Sequence, residues 1–318
     1  MSERELSIIA MGGNSLISPE LAPTVRNQFA LAARAVVPIA DLMEQGERMV
    51  VTHGNGPQVG FMALRSELSR DHIHEVPLDS LVANTQGSLG YMLQRALGEE
   101  LRRRGAQQRV ITVVTEVEVD GEDEAFKEPT KPIGRFYSEE ESDTLAMDRG
   151  WDMVFVEDLG WRRVVPSPVP QRIVQLDTIR SLVDMGILVV CCGGGGIPVL
   201  PSEDATLHGI EAVIDKDRVS AMLGLELGAT RLFLTTGTDA IYTDFNGPNR
   251  KRLTRLTDRE AAHMLEMGEF PPGSMGPKVE AAIQFVEAGG REAVVCRPED
   301  LVAAVGGKSG TAIVAEAV

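Results

Sequence analysis

The stretch Gly186-Ile187-Leu188-Val189-Val190-Cys191-Cys192-Gly193-Gly194-Gly195-Gly196-Ile197-Pro198 constrains this chain more than any other. Ile187 to Cys191 are all apolar, and Ile187, Val189 and Val190 are β-branched. Such a run predicts a strand buried on both faces, which is how parallel sheets are built. It passes directly into four glycines, so side chains vanish where the strand ends. Bare N–H groups at the carboxyl end of a parallel strand can close around an oxyanion, because no Cβ blocks the approach. A plain flexible turn is the alternative.

Two earlier strands end the same way. Leu6–Ala10 runs into Met11-Gly12-Gly13-Asn14-Ser15, and Arg48–Thr52 runs into His53-Gly54-Asn55-Gly56-Pro57-Gln58. Each loop leads toward a helix, and a helix N-terminus with a glycine approach suits an anion. Between them, Thr24–Glu44 has helical spacing, with Pro38 expected to kink it. Asp79 reads as the N-cap of a long amphipathic helix, followed by a strand at Arg109–Val114. From about Val117 to Pro170 the periodicity fails. The prolines and the acidic run Glu139-Glu140-Glu141 mark an inserted excursion with a small hairpin of its own. Alternation then returns: helices at Gln171–Met185, Lys216–Leu227, Asp258–Met267 and Pro277–Ala288, and strands at Ile187–Cys191, Arg231–Thr235 and Ala293–Cys296. Gly306–Gly310 reads as a turn before a last strand. Strand–helix alternation over the whole length predicts an α/β fold with a mostly parallel sheet covered on both faces.

Charge narrows the choice of partners. Against 31 Lys+Arg stand 47 Asp+Glu, a net charge of −16. That field repels nucleic acid and anionic lipid, so an anionic ligand requires a locally positive pocket. Aromatic residues are only 4% of the 318, too few for base-stacking platforms. No apolar stretch is long enough to span a bilayer, and no basic segment with an apolar core opens the chain. The three cysteines, Cys191, Cys192 and Cys296, end apolar runs and read as buried thiols of a cytoplasmic protein. No Cys/His cluster has metal-ligand spacing; His72-Ile73-His74 reads as exposed loop.

Two glycine-rich chemistries fail on spacing. A dinucleotide fingerprint started at Gly193 ends on Pro198, and started at Gly54 it ends on Val59. Gly307-Lys308-Ser309 would close a Walker A loop, but the opening position is Val302. What remains is several glycine loops with isolated lysines: Lys131 between Pro129 and Pro132, Lys216 between Asp215 and Asp217, and Lys278 after Gly276-Pro277. Each alone reads as a surface charge. Their placement at helix starts and between prolines argues for positioned charge.

At these residues the chain resembles a carbamate kinase of the amino-acid kinase superfamily. The resemblance rests on Gly12-Gly13-Asn14, His53–Gln58, Thr85-Gln86-Gly87 with Gly90–Leu93, and Pro129-Thr130-Lys131-Pro132-Ile133-Gly134. It continues through Trp161–Pro168, Gly193–Pro198, Glu211–Asp217, and Pro272–Lys278 running into Val279–Ala282. The Lys131 and Trp161–Pro168 segments are specific to carbamate kinases within the superfamily. The resemblance implies an open αβα sandwich. Residues 1–200 would form an acid-binding lobe with a protruding subdomain at about 117–165, and residues 201–318 a nucleotide lobe. It implies Mg²⁺-dependent phosphoryl transfer between carbamoyl phosphate and ADP, giving ATP and carbamate, in a homodimer. By carry-over, Gly12, Gly13, Asn14, Gly54, Asn55, Gly56, Gly194 and Gly195 would bind the phosphoryl group. Lys131, Lys216, Asp217 and Lys278 would be catalytic. Thr236, Asp239, Tyr242, Met275, Gly276 and Pro277 would border the nucleotide, with no resident metal. The chemistry agrees: carbamate is already an anion, so no general base is required.

Some positions depart from the family pattern. Gly237 stands where a carboxylate is common, Arg135 where proline is common, and Glu116 where glutamine is common. Arg135 beside Lys131 suggests a different or larger acid as substrate. Gly237 suggests a nucleotide-binding protein that has lost catalysis. Both stand as alternatives to carbamate kinase at this point.

Overall fold

The computed structural model describes residues 5–316 apart from Pro19, Asn246 and Pro272; the side chains of Asn14 and Ser15 also lie outside the description. Eight strands form the central sheet, in the order Arg255–Thr257, Thr311–Val314, Glu292–Cys296, Arg231–Thr235, Leu6–Met11, Arg48–His53, Leu188–Cys191, Val110–Thr112. Neighbours are parallel except Glu292–Cys296 with Thr311–Val314. The fold is an α/β sandwich with helices on both faces of this sheet, as the alternation predicts.

The period of two explains the layering. On Leu6–Met11, Ile8 and Ala10 join one core with Val219 and Leu223 of helix Lys216–Leu227 and with Val279, Ala282 and Phe285 of helix Met275–Glu287. Ile9 and Met11 face the opposite core, against Ala32, Ile39, Leu42, Leu89 and Leu93. These strand residues are almost fully excluded from water, and each of the Ile and Met side chains contributes about 1.5–3 kcal/mol.

Several boundaries differ from the sequence reading. Thr24–Glu44 is two helices, Val25–Ala35 and Val37–Glu44, with Pro38 in the first turn of the second, where its missing N–H costs nothing. Asp79 is not the N-cap of the long helix, which begins at Leu78 after Pro77. The free Leu78 N–H donates instead to Glu211 Oε1 at 2.8 Å, a partner 133 residues away that no local pattern announces. The Arg109–Val114 strand shortens to Val110–Thr112. Gln171–Met185 opens as the strand Pro170–Ile173, paired antiparallel with Glu116–Val119, and becomes helical only at Leu176.

The excursion holds more structure than a hairpin. Lys131–Tyr137, Gly160–Val165 and Asp152–Val156 form an antiparallel three-stranded sheet. The acidic run begins a helix, Glu139–Arg149, closed by a capping box between Ser138 and Glu141. Only Ser142 and Leu145 of that helix are buried, so it shows no apolar stripe to read. A further sheet pairs four strands in the order Leu207–Gly209, Ile197–Pro201, Glu116–Val119 and Pro170–Ile173.

Candidate active site

The carboxyl ends of parallel strands open into one cavity of about 800 Å³. It is lined by Gly12 and Gly13 after Leu6–Met11, by Gly54, Asn55 and Gly56 after Arg48–His53, and by Gly194 after Leu188–Cys191. Thr236 and Gly237 after Arg231–Thr235, and Arg297 and Glu299 after Glu292–Cys296, complete that rim. This is the crevice where open α/β sheets bind ligands. Three helices aim their N-terminal turns at it: Gly56–Ser69, Lys216–Leu227 and Met275–Glu287. Their unpaired N–H groups and dipoles make the cavity receptive to anions inside an acidic chain.

The glycines let two loops touch. A Cβ on Gly54 would stand 2.9 Å from the Gly13 nitrogen and 3.1 Å from Cδ of Lys216, so only glycine permits this approach. Other motif residues hold the loops from behind. Asn55 Nδ2 donates to Thr85 Oγ1 at 2.8 Å, and that hydroxyl donates to the Val82 carbonyl at 2.7 Å. Gln86 donates to the carbonyls of Thr115 and Gly193, both at 3.0 Å, and accepts from the Thr115 N–H at 2.7 Å. The Thr85-Gln86 motif is therefore scaffolding for the glycine turns.

Lys131, Lys216 and Lys278 converge on this cavity. Lys131 Nζ lies 2.8 Å from Asp215 Oδ2. Asp217 bridges the other two: Lys216 pairs with one carboxylate oxygen, and Lys278 with the second at 2.7 Å. Three ammonium groups against two carboxylates leave one net positive charge, which the helix dipoles reinforce. Burial, opposed by Asp217 and aided by Lys278, holds the Lys216 pKa down at about 8. Burial acts the same way on Lys278, yet the Asp217 carboxylate outweighs it and raises that pKa. Asp217 is buried, which favours its neutral form, but both lysines hold it below the usual carboxylate range. Asp215 behaves likewise, with Lys131 the principal cation opposing its burial.

His53 ends the second strand behind these loops. Burial drives its pKa down to about 4, and the nearby Lys216 adds to the shift against the Gly54 carbonyl contact. It is a neutral core residue, 2% exposed, and it does not line the cavity.

Not every predicted site residue gathers here. Gly12, Gly13, Gly54, Asn55, Gly56, Lys131, Gly194, Lys216, Asp217, Thr236, Pro277 and Lys278 line the cavity. Gly195 does not; it packs against the Ile214 carbonyl inside the turn. Met275 and Gly276 lie in the first turn of their helix, outside the lining, while Pro277 and Lys278 reach it. Asp239 and Tyr242 form a separate cluster, in which Tyr242 donates to Asp239 at 2.8 Å and Arg252 contacts the same carboxylate at 3.1 Å. The Asn14 side chain is outside the described residues. Sequence reasoning missed Arg34, Asp215, Ser274, Arg297 and Glu299 as cavity residues. Asp215 and Ser274 carried a signal, as N-cap type residues immediately before helices.

Arg135 does not supplement the lysines. A register shift between Ile133 and Phe136, with Gly134 at φ +71°, breaks the strand's alternation there. Arg135 instead pairs with Glu67 at 3.1 Å and Glu141 at 2.9 Å and lies over the Tyr137 ring at 4.1 Å. It lines a second cavity of about 590 Å³, between the excursion and the helices Gly56–Ser69 and Leu78–Arg103. The reason for expecting a larger acid substrate falls with this placement.

A profile of the Amino acid kinase family matches residues 5–297. The carbamate kinase-like protein YahI of Escherichia coli K12 is 41% identical over 98% of this chain and 99% of its own. Carbamate kinase 2 of Enterococcus faecalis is 43% identical over 93% of this chain and 95% of its own. The solved structure of carbamate kinase from Giardia lamblia bound to AMP-PNP superposes with a TM-score of 0.93 at 35% identity, covering 99% of this chain and 100% of that one.

Proposed function

The chain belongs to the amino acid kinase family, and from that premise we propose that it is a carbamate kinase, a phosphotransferase acting on a carboxyl group. It moves a phosphoryl group between carbamoyl phosphate and ADP, giving ATP and carbamate. The observation that carries this reading is the convergence of three lysines and bare-backbone loops on one cleft.

In the ATP-forming direction, a β-phosphate oxygen of ADP attacks phosphorus while the bond to the carbamate oxygen breaks. The attacking oxygen is already anionic and the leaving oxygen departs as a carboxylate, so no proton need be removed. The neutral, buried His53 fits that requirement. Catalysis is then positioning and charge neutralisation. Amides of Gly12, Gly13, Gly54, Asn55, Gly56 and Gly194 face the transferring group. Lys131 covers carbamoyl phosphate, while Lys216 and Lys278, aligned by Asp217, neutralise the β- and γ-phosphate charge. Residues 1–200 supply the acid side, and 201–318 the nucleotide side through Thr236, Gly237, Ser274, Pro277, Arg297 and Glu299.

Mg²⁺ enters as part of the nucleotide substrate. Among the described residues no three metal-ligating side chains cluster, and both cleft aspartates already accept from lysines. Phosphate oxygens and water suit that ion as its main ligands. A homodimer is supported by the exposed Ile111, Val114 and Tyr91 around strand Val110–Thr112, which ends the central sheet and whose Thr112 N–H is taken by Gln94 Oε1. No helix among the described residues is long and apolar enough to cross a membrane.

A coupled assay for ATP formation from carbamoyl phosphate, ADP and Mg²⁺ tests the reading. Turnover is expected, and its absence, with turnover on another acyl phosphate, would overturn the assignment. A pH profile adds a sharper result. Lys216 is cationic below its pKa of about 8, so kcat/KM should fall as pH rises through that value. In Lys216→Arg the guanidinium stays charged, and this limb should disappear. A wild-type profile flat to about pH 9.5 would contradict the role given to Lys216.

A further inference from the structure

Asp215 lies between the two parts of the cleft. Its Oδ1 accepts from the Asp217 N–H at 2.8 Å, capping helix Lys216–Leu227. Its Oδ2 receives the Lys131 ammonium at 2.8 Å, across 84 residues of chain. Lys131 opens the strand Lys131–Tyr137, which belongs to the excursion's own three-stranded sheet and not to the central one. Its side chain is 35% exposed, whereas that of Asp215 is 12% exposed. A long, half-exposed lysine on a separate sheet has many rotamers, and a nearly buried carboxylate is its fixed partner.

Building on the reading above, we propose that Asp215 is a positioning residue for this reaction: one oxygen caps the helix carrying Lys216 and Asp217, while the other holds Lys131 over the same cleft. A single carboxylate thereby ties the excursion's lysine to the helix that carries the rest of the cationic cluster. Lys131 arrives above the acid site already ordered, so carbamoyl phosphate need not order it on binding. Asp215 itself touches no reacting atom in this scheme.

The sign of one substitution separates this from a bystander role. Asp215→Asn keeps an oxygen to cap the helix but turns an NH₂ donor toward the Lys131 ammonium, which then leaves. It also makes the cleft more positive by one charge. Were Asp215 only a nearby negative charge, that change would lower the KM for carbamoyl phosphate. Positioning predicts the opposite: a rise of about tenfold, the scale of one charge-assisted hydrogen bond, with the ADP KM within about twofold of wild type. Because the effect runs through Lys131, it should vanish in a Lys131→Ala background. A lowered KM, an equal rise for ADP, or the same loss without Lys131 would each overturn the proposal.

A second measurement needs no turnover. Acylation of Lys131 by limiting acetic anhydride, mapped by peptide mass spectrometry against Lys127, should rise about fivefold in Asp215→Asn as the ammonium loses its partner. Unchanged labelling would overturn the proposal whatever the substrate proves to be. Asp215→Ser, a cap without charge, should reproduce both results if the carboxamide variant folds poorly. Wild-type inactivity toward carbamoyl phosphate would instead count against the reaction assigned above and leave the labelling result to decide the role of Asp215.

Discussion

Lys216→Ala is expected to lower kcat by about a thousandfold, at the upper end of what one preorganised electrostatic donor contributes. The Lys216 side chain is 11% exposed, paired with Asp217, and set at the first position of a helix whose N-terminus already favours anions. Its charge acts where water is excluded, so bulk solvent cannot replace it. Transferring a phosphoryl group shifts charge onto oxygens between donor and acceptor, and a fixed ammonium is worth most at that moment. ADP affinity, measured by calorimetry, should therefore change far less than kcat. Stability should change little, because alanine also removes a cation that burial penalises. A kcat within tenfold of wild type would show that Lys278 and the backbone amides suffice.

Gly195→Ala should have the largest effect on the folded state, a loss of about 3–5 kcal/mol. Gly195 has φ +91°, and a Cβ there would stand 2.2 Å from the Ile214 carbonyl oxygen. That obstacle is backbone, directly before Asp215, so relief would displace the start of helix Lys216–Leu227 with its charged cluster. The melting temperature should fall by about 4–8 °C. Gly228→Ala separates conformation from crowding. Gly228 also has positive φ, at +70°, but nothing stands within 4 Å of its Cβ position. Its cost should be about 1 kcal/mol, the left-handed backbone penalty alone. Equal losses at the two sites would mean that the Ile214 contact yields without cost.

The two substitutions also mark where sequence reading works. Strands buried on both faces carry their signal in consecutive residues, so Leu6–Met11, Arg48–His53, Leu188–Cys191 and Arg231–Thr235 are legible within a residue or two. Helix Glu139–Arg149 is not, because it leans on the solvent and buries two side chains. Its local marks are the Ser138–Glu141 capping box and the left-handed Gly150 that ends it. The start of the long helix is hidden for a different reason, since its cap comes from Glu211.

The same division runs through the cleft. Glycine loops at strand ends and isolated lysines are local patterns, and they locate many of the glycines and the three lysines that line the cavity. The family resemblance also placed Gly195 among the phosphate ligands, although it does not line the cavity and its N–H donates to the Cys192 carbonyl. Comparison with the family pattern put Arg135 beside Lys131, whereas the break at Gly134 leaves it on Glu67 and Glu141.

What the residues determine unaided is the kind of chemistry: a buried parallel sheet, bare backbone where its strands stop, and a few cations set apart in an acidic chain. These follow from properties of neighbours in sequence. Which cation meets which carboxylate is decided only when the sheet brings distant strand ends together. Lys131 and Asp215 are 84 residues apart, and Asp217 and Lys278 are 61. Pairing energies fall off over a few ångströms, and closeness of that order between remote residues exists only in the folded chain.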